Sequence, residues 1–126
     1  MIELLGDSED GIVGVRVSGK LTAADYETYL IPALDRVFEH HKRARFLVLM
    51  EEDFDGWTLD AAWDDFSYWL EHRAAFDKVA IVGAPKWVEW CINAMGFVLK
   101  GEFRLFERTK LADAWGWLRE GASAAA

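Results

Sequence analysis

Cysteine is nearly absent from this chain: Cys91 stands alone among 126 residues. Without a second thiol there is no internal disulfide and no cysteine-based metal site, a usage that fits a reducing cytoplasm. Apolar runs are short. The longest uncharged stretch, Trp90 to Leu99, is roughly half of what a bilayer span requires. The amino terminus, Met1-Ile2-Glu3, has neither the basic region nor the apolar core of a signal peptide. Basic residues are outnumbered, 14 against 22 acidic, for a net charge of −8. Phosphate binding needs clustered Lys and Arg, so nucleic acid is excluded as an expected partner. These absences predict a cytoplasmic protein that rests at most on the inner face of a membrane.

Catalytic signatures are missing as well. There is no Gly-x-Ser-x-Gly, no phosphate-cradling glycine loop and no GxGxxG after a strand. His40, His41 and His72 pair in sequence with no cysteine, serine or second ligand at a useful spacing. Glu51, Glu52, Asp53 and Asp55 leave one strand together, with Asp60, Asp64 and Asp65 on the helix that follows. Such oxygen-rich clusters can hold Mg²⁺ or Ca²⁺. No calcium-loop spacing is present, however, and a helix dipole favours carboxylates at its N-terminus in any case. The chain therefore reads as non-enzymatic, with no catalytic residue, metal site or cofactor assigned.

What is present is a globular composition, 52% hydrophobic and 29% charged, of a length that suits one domain. That domain is expected over residues 1–120, with a frayed small-residue tail at 121–126. Charge is uneven: residues 1–83 carry 8 basic and 17 acidic side chains, residues 84–110 carry 5 and 3. Ile2 to Leu5 and Ile12 to Val17, joined by Gly6-Asp7-Ser8-Glu9-Asp10-Gly11, read as an antiparallel pair at a sheet edge. Thr22 with Asp25, and Leu21 with Tyr26, carry the capping box and staple of a first helix. Pro32 should kink or split that helix near Leu30-Ile31, and His40-His41-Lys42 end it.

Phe46 to Met50 and Val79 to Val82 do not alternate, so each reads as a strand buried on both faces. Thr58 caps a second helix carrying Leu59, Ala62, Trp63, Phe66, Trp69 and Leu70. A third follows Pro85 from Lys86 to about Leu99. Glu102 to Phe106 alternates as a last strand, and Thr109 is expected to cap a fourth helix packing Leu111, Ala114, Trp115 and Leu118. The order predicts an α/β domain with a mainly parallel five-stranded sheet, an antiparallel N-terminal edge strand and four helices.

Aromatic residues are in excess: 7 Trp, 8 Phe and 3 Tyr. Taken singly, Trp63, Phe66 and Trp90 read as core. Taken together, the rings of the second and third helices exceed what a small sheet can hide, which marks a ligand cavity, a partner surface or an interfacial helix. Trp57, Trp63, Phe66, Trp69, Trp87, Trp90 and Met95 are the candidate lining of an apolar or lipid-binding site. Lys86, Lys100 and Phe97 are the candidate membrane contacts, since cations flank segments that rest on anionic headgroups.

Val17-Ser18-Gly19-Lys20-Leu21-Thr22 with Asp25-Tyr26, Phe54-Asp55-Gly56-Trp57, and Val79-Ala80-Ile81-Val82-Gly83 followed by Trp87 resemble the bacterial SpoIIAA-like family of the STAS superfamily. Ala114 with Trp117-Leu118 continues the likeness, which covers nearly the whole chain. It implies strands in roughly sequential order with helices chiefly on one face. Its fold relatives include lipid-carrying CRAL-TRIO domains, which favours an apolar ligand. Antagonists of the SpoIIAA type are switched by phosphorylation of a serine at the start of the helix after the third strand. Here the only hydroxyl is Thr58, among Asp53, Asp55 and Asp60, where like charge disfavours a phosphate. The resemblance leaves a second reading, a protein-interaction module using Asp53, Asp55 and Thr58. A homodimer is left open.

Overall fold

The computed structural model describes residues 1–5, 11–41, 43–72, 76–94 and 102–120. Within these segments the side chains of Asp65, Phe66, Trp69, Leu70, His72, Cys91, Ala94 and Glu102 lie outside the description. Five strands form one sheet: β1 (Ile2–Leu4), β2 (Ile12–Val17), β3 (Ala44–Met50), β4 (Phe76–Val82) and β5 (Glu102–Phe106). They lie side by side in chain order, β1 antiparallel to β2 and the rest parallel. Helix α1 is a composite of Ala23–Asp25, Tyr26–Leu30 and Ile31–His40. It is followed by α2 (Leu59–His72), α3 (Lys86–Ala94) and α4 (Leu111–Arg119). The mixed five-stranded sheet and four helices are as the sequence predicts.

Parallel registry stacks the strands into rows. Val13, Phe46, Val79 and Phe103 align in one row, and Gly14, Leu47, Ala80 and Arg104 in the next. Successive residues face opposite sides of a sheet, so the two rows feed separate cores. One core joins Val13, Val15, Val17, Met50, Val79 and Ile81 to Leu21, Tyr26, Leu30, Leu34, Ala61 and Val88, and so holds α1, α2 and α3. The other joins Ile12, Leu47, Leu49, Ala80 and Val82 to Ala114, Trp115, Trp117 and Leu118 of α4. Three helices thus cover one face and one helix covers the other.

Helix α1 opens with the expected capping box: Thr22 Oγ1 accepts from the Asp25 amide, and the Asp25 carboxylate accepts from the Thr22 amide. The Pro32 signal marks a division of the helix, which falls between Leu30 and Ile31: residues Tyr26–Leu30 widen into a π-helical turn, with the Ile31 amide bonding to Tyr26 O. Regular helix then restarts with proline in its first turn, a position whose N–H a helix start does not require. Tyr68 of α2 donates to Asp35 of α1 at 2.9 Å. Burial, with this bond to a carboxylate, pushes the Tyr68 phenol above its ordinary range.

Thr109 does not cap α4. It lies within a 3₁₀ turn, Arg108–Lys110, and α4 begins beyond it without a side-chain cap. The stabilisation sits instead at the other end of α4. Arg45 donates to Leu118 O and Glu120 O, and Lys78 to Trp117 O and Glu120 O. Two strand cations thereby satisfy the terminal carbonyls and complement the negative end of the helix dipole.

α4 approaches the sheet closely because Gly14 has no side chain: a Cβ there would lie 2.5 Å from Trp115 Cη2. Gly14→Ala should therefore destabilise the fold by about 1–3 kcal/mol through overpacking. Gly116, on the same helix, has open space beside it, so Gly116→Ala should stabilise by about 0.5–1 kcal/mol. Denaturant unfolding of both variants checks the pair.

Candidate functional site

At the carboxyl end of the parallel strands, two connecting segments run side by side. Ser18 to Leu21 leaves β2, and Glu51 to Thr58 leaves β3. Four backbone hydrogen bonds join them: Glu51 N to Val17 O, Asp55 N to Gly19 O, Leu21 N to Gly56 O and Thr58 N to Leu21 O, each 2.8–3.0 Å. Leu21 and Trp57 complete a parallel bridge. Gly56 turns the chain at φ +94, a conformation costly for any residue with a Cβ. The Phe54-Asp55-Gly56-Trp57 turn is thus a rigid clamp rather than a free loop.

Its rings carry the clamp into the helices. Phe54 is buried, stacks parallel to Trp87 at 6.1 Å and meets Trp57 edge-on at 5.1 Å. Trp57 and Trp87 make a further edge contact at 5.7 Å. The half-buried Trp57 indole donates from Nε1 to the Tyr26 hydroxyl, as an aromatic with a polar handle must when it leaves water. Three elements are therefore pinned to one point: the turn, the start of α3 and the π-turn of α1.

Beyond that point the apolar side chains stay in water. Leu59 is 93% exposed, Trp63 67%, Trp90 71% and Trp87 46%. Leu59 and Trp63 are one helical turn apart on α2, and Trp87 and Trp90 likewise on α3, so each pair shares a face. Val88 and Ile92 of α3 instead pack on the core. The expectation that Trp63 and Trp90 belong to the core is overturned: α2 anchors through Ala61 and Tyr68, and α3 through Val88 and Ile92. Those residues lie on other faces of their helices. Lys86 is exposed at the start of α3. The side chains of Phe66 and Trp69, and the residues Met95, Phe97 and Lys100, lie outside the described residues.

Asp53 and Asp55 are exposed on the clamp, and Thr58 is half-buried. Thr58 caps α2 as expected, its Oγ1 accepting from the Ala61 amide at 3.3 Å and donating to Asp60 Oδ1 at 2.5 Å. That hydroxyl is committed at both its donor and an acceptor site. Among the described residues no three His, Cys, Asp or Glu side chains converge on a point that could hold a metal ion. A cavity of about 310 Å³ near this edge is lined, among the described residues, by Gly83, Ala84, Glu89, Leu105, Phe106, Glu107 and Arg108, and by none of the described tryptophans. Arg108 also donates to Met50 O at 2.8 Å and to Gly83 O at 3.4 Å, tying the segment after β5 to the ends of β3 and β4. No described helix is long and apolar enough to cross a membrane.

Residues 12–119 match the family model described as SpoIIAA-like. Among solved structures, the chain is similar to an uncharacterised protein of the DUF3478 family, with a SpoIIAA-like fold, from Shewanella loihica PV-4. The two share 32% identity, and the alignment covers 94% of this chain and 92% of that one with a TM-score of 0.71. No curated protein matches the chain.

The hydroxyl of Thr58, with the Ala61 amide, holds the Asp60 carboxyl below its ordinary range against a smaller opposing effect of desolvation. A lowered carboxyl pKa contributes stability above the unfolded value near 3.8, and the contribution fades as pH falls through the folded pKa. Thr58→Ala should cost about 1 kcal/mol at neutral pH through the lost cap. The deficit should narrow as pH falls through the lowered folded pKa of Asp60, below its ordinary 3.8, since the stabilised carboxylate is lost there. Urea unfolding at neutral pH and below that pKa reads it.

Proposed function

Because the chain belongs to the SpoIIAA-like family, we propose that it is a non-enzymatic binding domain of that fold. Its target is a lipid-like molecule, met singly or at a membrane surface, and its contact surface is the exposed aromatic edge of α2 and α3. The observation that carries this reading is the exposure of Leu59, Trp63, Trp87 and Trp90 together. Burying one such side chain fully gains about 1.5–3 kcal/mol, so the exposed parts of these four forgo several kcal/mol, a large share of a domain's whole stability. Monomeric proteins rarely leave such a patch without a use. Indoles favour the boundary between hydrocarbon and water, and Lys86 places a cation beside Trp87, where headgroup phosphates would lie.

A second reading rests on the clamp. Its rigid acidic turn, with Asp53 and Asp55 exposed beside Trp57, suits a protein partner of the kind that antagonist-type domains engage. In that case the exposed tryptophans would be the apolar centre of a protein interface.

Vesicles separate the two. Phosphatidylcholine vesicles containing phosphatidylglycerol should blue-shift and brighten tryptophan emission. Trp63→Ser with Trp90→Ser should abolish the response, and Lys86→Glu should weaken it by about threefold. A short-chain phosphatidylcholine below its micelle concentration reports single-molecule binding apart from bilayer binding. Emission that ignores both forms of lipid overturns the lipid reading. Capture of a protein partner that depends on Trp57 or Asp55 would then support the second.

A further inference from the structure

The exposed aromatic edge is also an acidic one. Asp60 follows Leu59, Asp64 follows Trp63 and Glu89 precedes Trp90. Trp87 packs on Phe54 and Trp57, and Asp53 and Asp55 flank Phe54 in that turn. Each of the four exposed apolar side chains thus has a carboxylate on the next residue or, for Trp87, on the turn its ring packs against. Successive Cα atoms are about 3.8 Å apart, well inside the screening length of about 8 Å at physiological salt.

These carboxylates are not neutralised. Elsewhere Glu3 and Glu51 pair with Arg16, Glu52 with Arg108, and Asp77 with Arg43 and Arg45. Among the described residues, Asp53, Asp55, Asp60, Asp64 and Glu89 make no ion pair. The Thr58 hydroxyl and the Ala61 amide hold Asp60 ionised. Against these five stand two exposed cations on the same elements, Lys20 in the segment after β2 and Lys86 on α3.

We propose that the lipid surface this edge meets is zwitterionic, its heads carrying an ammonium and a phosphate, and not anionic; this rests on the lipid reading given above for the same edge. In a phosphocholine or phosphoethanolamine head the ammonium lies outermost and the phosphate next to the glycerol. The carboxylates meet the ammonium layer by charge, and the exposed indoles meet it by cation–π attraction. Lys86, beside Trp87, reaches the phosphate layer beneath. An anionic head instead adds net negative charge below the same five carboxylates. The apolar gain still holds the edge on such a bilayer, but more weakly. Added salt then strengthens docking by screening the repulsion, the reverse of what a basic peripheral segment shows.

Partition of the purified chain onto vesicles, followed by tryptophan emission, tests this with phosphatidylcholine alone and with one-third phosphatidylglycerol. At low salt the zwitterionic vesicles should be bound at least threefold more tightly. In 1 M salt, where the screening length is about 3 Å, that ratio should fall towards one. Asp64→Asn with Glu89→Gln should at least halve the low-salt preference, and Lys86→Glu should raise it. The proposal is overturned if the anionic vesicles bind as tightly or more tightly at low salt, or if the ratio ignores both salt and the double variant. In either case the lipid reading survives without this head-group preference. Binding to neither vesicle at any salt removes the lipid reading, and this proposal with it.

Discussion

Strands β2, β3 and β4 bury side chains on both faces, so neither face of this sheet can be left to water. The supply of cover is unequal. Three helices sheath one face, while the nine residues of α4 must serve the other. A short helix can seal that face only by lying very close to it and filling it with large rings. Gly14 permits the approach, Trp115 and Trp117 provide the bulk, and Arg45 and Lys78 hold the helix end in register through its carbonyls. Lys78 also lies over the Trp117 ring at 4.9 Å, so one side chain serves the helix terminus and the core beneath it.

Crowding of helices on the first face has the opposite consequence. α1, α2 and α3 share one layer, and each needs only part of its circumference to seal it. The Phe54–Trp57–Trp87 cluster fixes where α3 starts relative to the turn after β3. Once that is set, Trp63 and Trp90 are turned outward by helical periodicity. The exposed edge therefore follows from the anchoring contacts and from where the remaining apolar residues fall around each helix.

Much of this was legible in the sequence because it is local. Unbroken apolar runs marked the doubly buried strands, and Thr22 and Thr58 announced their helices through side-chain and backbone geometry spanning three residues. Pro32 announced the break between Leu30 and Ile31, but not its form as a π-turn, whose first residue, Tyr26, also accepts from Trp57 in another part of the chain. Thr109 had the chemistry of a cap and was overruled by the 3₁₀ turn around it, in which Arg108 reaches back to Met50 O. Trp63 and Trp90 read singly as core because large rings usually are. Which face of a helix meets the sheet is decided by neighbours that sequence spacing does not name.

Charge and apolar area work against each other at the aromatic edge. The aromatic edge sits among Glu51, Glu52, Asp53, Asp55 and Asp60, with Lys86 as the exposed cation beside Trp87. At physiological salt the screening length is about 8 Å, and exposed charges interact by on the order of 1 kcal/mol or less. The exposed parts of Leu59, Trp63, Trp87 and Trp90 leaving water outweigh that repulsion several-fold, which is the balance that the proposed lipid reading requires.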